Sequence, residues 1–298
     1  MVFSSRIWLA VSLLFIFIHL FQTNSLFGQE LKCINYTIEN GLPTNLTKTT
    51  LQDETGFIWI GTDAGLLRFD GREFLTFTDA LPGKYVKDLF ITSGKKFLVV
   101  TDLGISTVDR KNGKVSIETF LIGSSARTDS ALFYPKTIYE DRHGILWISE
   151  PDAVVRYADG KIKRYVFPKS DHSKSFIRSF LFLEDHNERL LVSSQAGNLF
   201  FFDPVRDVFQ SLKVKNVYPK FSINALLRTK NGRIFIGGSH GVFELLAAQN
   251  SDSLMWRKRY DILNVQAIAE NNSGHIFIGT IGKGVFRIAA SQTSASGE

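Results

Sequence analysis

The sequence predicts an all-β chain: a six-bladed β-propeller of four-stranded antiparallel blades. Three observations lead there. A bulky apolar anchor inside a strand-forming run recurs six times. Each copy follows a polar turn, and each is followed by a second turn and another short strand. The anchors are Trp59, Leu98, Trp147, Leu191, Phe235 and Phe277, separated by 39, 49, 44, 44 and 42 residues. The mean spacing of about 44 is that of one propeller blade.

The clearest copy is the stretch 56–71. Phe57 to Ile60 is an apolar strand run, Gly61 to Gly65 is turn chemistry, Leu66 to Phe69 is a second strand, and Asp70-Gly71 is a hairpin signal. The turns before the anchors are Glu54-Thr55-Gly56, Ser93-Gly94-Lys95, Asp141-Arg142-His143-Gly144, Asp185-His186-Asn187-Glu188, Lys230-Asn231-Gly232 and Asn271-Asn272-Ser273-Gly274. Asp53, Asp141 and Asp185 are expected to cap these turns, and Trp59 and Trp147 to pack between blades.

Taken in order, Lys32 to Ile38 reads as a strand and Glu39 to Pro43 as a turn. The first blade runs from Thr47 to Phe77, the second from about Val86 to Phe120, the third from Lys136 to Phe167 and the fourth from Ser179 to Leu212. The fifth runs from Ala225 to Tyr260 with an insertion near 249–253, and the sixth begins near Val265. That last blade has three predicted strands, so the N-terminal strand is expected to supply its fourth and close the ring, which removes an open sheet edge. An incomplete seven-bladed ring is the alternative. The propeller is assigned to 29–290 and a flexible tail to 291–298.

Residues 1–28 read as a secretory signal peptide: Arg6, then a 15-residue apolar run from Ile7 to Phe21, then a polar, small-residue stretch. The apolar run is shorter than the roughly 20 residues of a spanning helix. The expected location is therefore periplasmic or secreted, with no membrane span after cleavage. Cys33 is the only cysteine, which precludes an internal disulfide. The net charge of +6 comes from scattered basic residues, so no nucleic-acid partner is expected.

Four phrases resemble the two-component regulator propeller repeat: Asn40-Gly41-Leu42-Pro43-Thr44-Asn45, Asp53 to Leu66 (Asp-Glu-Thr-Gly-Phe-Ile-Trp-Ile-Gly-Thr-Asp-Ala-Gly-Leu), Arg68-Phe69-Asp70-Gly71, and Tyr139 to Ile148 in the third unit. The resemblance covers about 36–288. It implies a periplasmic sensor of the hybrid two-component type, often for glycan fragments, with output through a membrane-bound sensor kinase. A homodimer is the other partner considered. This sequence carries no kinase or receiver, no second propeller and no Tyr-rich immunoglobulin-like domain, so a shortened relative or a stand-alone binding protein is expected.

Loops leading into the inner strands and loops between second and third strands are expected to share one face around the axis, where a small-molecule or oligosaccharide ligand would sit. The candidate ligand-binding residues there are Tyr85, Tyr134, Arg127, His172, Arg178, Tyr218, Asn224 and Gln266 from the first set, and Asp63, Asp102, Asp152 and His240 from the second. Tyr, amide and carboxylate groups suit a sugar's apolar ring face and hydroxyl rim. No cofactor, metal site or catalytic residue is predicted. The pair Glu150 and Asp152 keeps a propeller lyase or glycosidase as an alternative, and a protein-interaction scaffold is another.

Overall fold

A computed structural model describes residues 34–111, 114–167, 180–185, 187–215, 221–247 and 254–289. The expected signal peptide, tail and 249–253 insertion lie outside the described residues. All the blades belong to one compact unit, Thr37–Glu298.

The chain is all-β, and six antiparallel sheets follow one another as the blades of a propeller. The first blade is β1 (Thr47–Gln52), β2 (Ile58–Thr62), β3 (Gly65–Phe69) and β4 (Phe74–Thr76). The second is β5 (Val86–Ile91), β6 (Phe97–Thr101), β7 (Gly104–Lys111) and β8 (Lys114–Ser124), with β9 (Leu132–Phe133) added parallel to β8. The third is β10 (Ile138–Glu140), β11 (Leu146–Ser149), β12 (Ala153–Ala158) and β13 (Lys161–Val166). The fourth is β14 (Phe180–Glu184), β15 (Leu190–Ser194), β16 (Leu199–Asp203) and β17 (Val208–Ser211). A short parallel strand, β18 (Val214–Lys215), edges the fifth blade of β19 (Ile223–Arg228), β20 (Ile234–Gly238), β21 (Gly241–Ala247) and β22 (Leu254–Tyr260). The sixth is β23 (Val265–Glu270), β24 (Ile276–Thr280) and β25 (Val285–Ile288).

One turn closes the first hairpin of every blade. The residue after the inner strand donates its N–H to the carbonyl four residues on and accepts from the N–H three residues on, as Asp53 does with Phe57 and Gly56, and Asn271 with His275 and Gly274. The last turn residue is left-handed, which glycine adopts without strain: Gly56 has φ 92° and Gly144 φ 75°. In the two most divergent repeats Lys95 and Glu188 hold the same region, at φ 63° and 65°.

The expected capping holds. Asp53 Oδ1 accepts from the N–H of Thr55 at 2.9 Å and Phe57 at 3.2 Å, and Asp141 Oδ1 from His143 at 2.9 Å and Ile145 at 3.0 Å. The second oxygen of each carboxylate reaches the anchor. Trp59 Nε1 donates to Asp53 at 2.6 Å, and Trp147 Nε1 to Asp141 at 2.8 Å. Where the anchor has no N–H, the chemistry changes with it. The fourth blade has Leu191, and Asp185 takes the guanidinium of Arg189 instead, at 2.9 Å.

Each anchor from Trp59 to Phe235 is buried and faces the following blade. Trp59 packs with Val86, Leu89 and Phe97, Trp147 with Phe180 and Val192, and Phe235 with Val265 and Ile268. Near the axis the blades approach closely: a Cβ on Gly61 would stand 2.5 Å from Val86 Cγ1, and one on Gly237 2.5 Å from Val265 Cγ1. This explains the Ile-Gly that follows those two anchors.

The N-terminal segment departs from expectation. Lys32 and Cys33 lie outside the described residues, but Ile34–Thr37 form no strand and Ile38–Asn40 form a 3-10 turn. The cause is local. Thr37 Oγ1 accepts from the Glu39 N–H, Asn40 Oδ1 accepts from the Thr37 N–H at 2.9 Å, and Gly41 ends the turn at φ 97°. This reciprocal cap competes with an extended strand. Leu42, just beyond it, covers Ile60, Leu67 and Phe69 on the free face of the first blade. Among the described residues the sixth blade keeps three strands. Its anchor Phe277 is only half-buried, and among the described residues no apolar cluster joins it to a following blade.

Replacing Asp141 by Ala leaves the buried indole N–H and two turn N–H groups without acceptors, so it should lower unfolding stability by about 2–3 kcal/mol. Trp147→Ala should cost about 3–5 kcal/mol through the cavity it opens. Urea denaturation followed by circular dichroism measures both.

Candidate functional site

The inner strands surround the propeller axis. β1 lies beside β5, β5 beside β10, β14 beside β19 and β19 beside β23. Thr137 Oγ1, donating to the Phe180 carbonyl at 3.0 Å, joins the third blade to the fourth. Between these strands is an open cavity of about 280 Å³, lined by Asp88, Thr137 to Tyr139, Leu181, Phe182, Ala225, Leu226, Ala267 and Ile268. Its wall is therefore apolar apart from Asp88, Thr137 and Tyr139.

The starts of the inner strands share a repeated irregularity. Four inner strands shift register by one residue at their start, at Lys48, Lys87, Asn224 and Gln266. A bulge breaks the alternation of a strand and re-aims the side chain that it carries. Two of the four, Asn224 and Gln266, belong to the predicted set, and their amide nitrogens both donate to the Val265 carbonyl, at 2.9 and 3.1 Å. The other two place ammonium groups over one ring. Lys87 Nζ lies 3.6 Å, and Lys48 Nζ 5.8 Å, from the centroid of Tyr85.

Charge is concentrated at the starts of the first three inner strands. Burial pushes the Lys87 ammonium below its ordinary pKa, with Lys48 adding repulsion and Asp102 opposing both. Lys136, one residue before the cavity wall, is lowered to about 8 by burial and then by Lys87. Asp88 moves the other way. Burial raises it to about 7, although its carboxylate accepts from the Ile138 N–H at 3.1 Å and the Leu89 N–H at 2.9 Å.

The other predicted residues fall into separate places. Asp102 lies within the field of Lys87, and one oxygen each of Asp63 and Asp102 is buried without a hydrogen-bond partner. Arg127 forms an ion pair with Asp152 and lies over the Phe133 ring at 4.9 Å, and Tyr134 packs against the same ring. His240 Nδ1 is 2.8 Å from Ser239 Oγ. His172, Arg178 and Tyr218 lie outside the described residues. Lys48, Lys87 and Lys136 were not singled out by sequence. Their signal is the repeat itself, because each stands at or next to the same position of consecutive inner strands.

The carboxylate pair considered for glycosidase or lyase chemistry is committed elsewhere. Glu150 is fully buried, grips Arg164 through both oxygens at 2.7 and 3.0 Å, and accepts from the Phe133 N–H at 2.8 Å. Asp152 is held by Arg127.

The fold is a β-propeller with an open cavity among its inner strands. Solved structures of the same architecture include the extracellular domain of a B. thetaiotaomicron protein classed as a hybrid two component system, BT3049. It is 18% identical with a TM-score of 0.69, over 87% of this chain and 36% of that one. PorZ, a surface component of the type-IX secretion system of Porphyromonas gingivalis, aligns at 15% identity and a TM-score of 0.60, over 88% of this chain and 42% of PorZ. A streptogramin B lyase aligns at 12% identity and a TM-score of 0.59, over 84% of each chain. At these identities the likeness is one of fold, shared by an extracellular domain, a secretion-system surface component and a lyase. This chain spans about a third of the length of the BT3049 domain. No protein-family model and no curated protein matches the sequence. Among the described residues, no helix is long and apolar enough to cross a membrane.

Two predictions follow from the site's electrostatics. Asp88 holds its proton to about pH 7 when folded, against an ordinary value of 3.8. Between those values the folded state binds more protons than the unfolded one, so stability falls as pH rises and levels off above 7. Asp88→Asn lacks this dependence. The melting temperature of the parent minus that of the variant should therefore decrease from pH 4 to 7, and parallel curves would exclude it. Glu150→Gln leaves Arg164 buried without its counter-charge and should cost about 3–5 kcal/mol in urea unfolding.

Proposed function

We propose that the chain is a ligand-binding, sensor-type propeller that acts outside the cytoplasm. A small molecule, in the first instance a glycan fragment, occupies the axial cavity and its rim. The observation that carries this reading is the cavity of about 280 Å³ between the inner strands, with a wall apolar apart from Asp88, Thr137 and Tyr139, in strands that begin next to Tyr85 and carry Asn224 and Gln266 at their starts. An apolar surface ringed by a few oriented polar groups is how proteins hold sugars and other small polar ligands.

Three further points support it. The repeat resembles that of periplasmic sensors, the fold matches an extracellular domain classed with hybrid two component systems, and residues 1–28 have the layout of a secretory signal. Output then passes to a membrane-bound kinase or a second copy of the chain. A catalytic role is not proposed, because Glu150 and Asp152 are spent on arginines.

The reading is tested by thermal shift of the purified chain against a panel of oligosaccharides. A ligand at a hundred times its Kd stabilises the folded form by about 2.7 kcal/mol, which raises the melting temperature by several degrees in a chain of this size. Tyr85→Ala should abolish that shift while melting close to the parent without ligand. A ligand that shifts both proteins equally binds elsewhere and removes the axial site.

A further inference from the structure

A second cavity, of about 360 Å³, lies between the first two blades and shares no lining residue with the one among the inner strands. Phe57, Phe97, Val108 and Val115 give it an apolar wall, and Arg68, Lys95, Arg110 and Lys114 give it four cations. Two of these are matched. Lys95 Nζ is 3.0 Å from Glu54 Oε1, and Arg110 is held by Asp53 and by Thr55 Oγ1, the latter at 3.0 Å. Asp109, also in the lining, has an interaction of its own. The side chains of Arg68 and Lys114 have neither a hydrogen bond nor an ion pair among the described residues.

Arg68 is the unusual member. Its guanidinium lies over Phe57, 4.4 Å from the ring centroid, with Trp59 and Phe77 each at 5.9 Å, and its Nε is buried without an acceptor. Buried donors are as a rule satisfied, and other blades show how this position does it. The third-strand residue paired with the anchor is charged in three of the five blades that precede another: Arg68, Arg156 and Glu244. Arg156 donates to Asp207 of the following blade at 3.1 Å, and Glu244 accepts from Arg233 and Arg259 at 2.6 and 2.5 Å. Asp207 stands just before β17, the outer strand of its blade. The outer strand of the second blade, β8, begins with Lys114, and the sequence before it is Asn112-Gly113. Where Arg156 meets an acid, Arg68 therefore meets a second cation, at an open cavity.

We propose that this inter-blade cavity binds a small organic carboxylate with an apolar body. The carboxylate lies on the Arg68 guanidinium, whose flat fork matches it, with Lys114 alongside. The apolar body covers Phe97, Val108 and Val115. The volume is at the lower end of the range for small-molecule sites, which suits a single-ring compound. The site stands apart from the axial reading above and does not depend on it.

The test is titration calorimetry of the full chain with benzoate, benzyl alcohol, phenyl phosphate and inorganic sulfate. The expected result is one benzoate per chain, with at least about tenfold weaker binding of the alcohol and of sulfate. Arg68→Lys keeps the charge but loses the fork, and should weaken benzoate about tenfold. Lys114→Glu supplies the missing carboxylate from within the protein. It should abolish benzoate binding and raise the unliganded melting temperature, as expected if Arg68 lacks a counter-charge. Benzoate binding equally to the parent and both variants would lie elsewhere and overturn the site. Benzyl alcohol binding as tightly as benzoate would overturn the anionic class, and phenyl phosphate binding more tightly would overturn the carboxylate. Sulfate binding as tightly would overturn the apolar body. No heat with any of these compounds would overturn the proposal and leave the axial site to the oligosaccharide panel.

Discussion

The structure depends on one side chain per blade, the polar residue that follows the inner strand and holds the next turn closed. In the first and third blades it is an aspartate whose two oxygens do different work. One satisfies turn N–H groups, and the other fixes the indole that fills the space before the next blade. Local hairpin and long-range packing are thereby set by the same carboxylate. Asp53 shows the balance of forces. Burial drives its pKa up, but Thr55, Trp59 and Arg110 hold it below the ordinary carboxylate range.

Glutamates stitch the blades at the same end. Arg142 in the third turn donates to Glu184 at the end of the fourth inner strand at 3.0 Å, and the Lys230 N–H in the fifth turn donates to Glu270 of the sixth at 2.7 Å. The opposite end of the inner strands is freed from this task by its bulges. There the bulged positions are cationic or amide-bearing, at Lys48, Lys87, Asn224 and Gln266. One end of the propeller is thus tied together by hydrogen bonds between blades, and the other carries the bulges.

Much of this was legible in the residues. The period of about 44 specified the blades, and the Asp-to-Trp spacing of six residues specified the cap and anchor in two of them. The site was less legible. Tyr85, Asn224 and Gln266 were singled out because they lie in or beside the loops that lead into the inner strands, and the structure places them at or next to the starts of those strands. Lys48, Lys87 and Lys136 were not, because a lysine on an inner strand reads as a solvated surface residue until the bulge and the neighbouring blades are in place. Asp88 looked equally ordinary, and only its burial gives it an unusual proton affinity. The N-terminal strand failed for a local reason: Thr37 and Asn40 cap a turn whose competition with an extended strand the apolar pattern did not reveal.

Taken alone, the amino-acid order determined the number of blades, the turns that open them and the residues that fill the space between them. The turns rest on contacts within a few residues of each other, and the number of blades and the inter-blade anchors show as a residue pattern repeated six times. Tertiary structure decided which charges meet. The lysines around Tyr85 come from different blades, and the arginines that neutralise Glu150 and Asp152 lie 14 and 25 residues away along the chain. Such encounters depend on how sheets are placed around an axis, and one-dimensional spacing does not encode that placement directly.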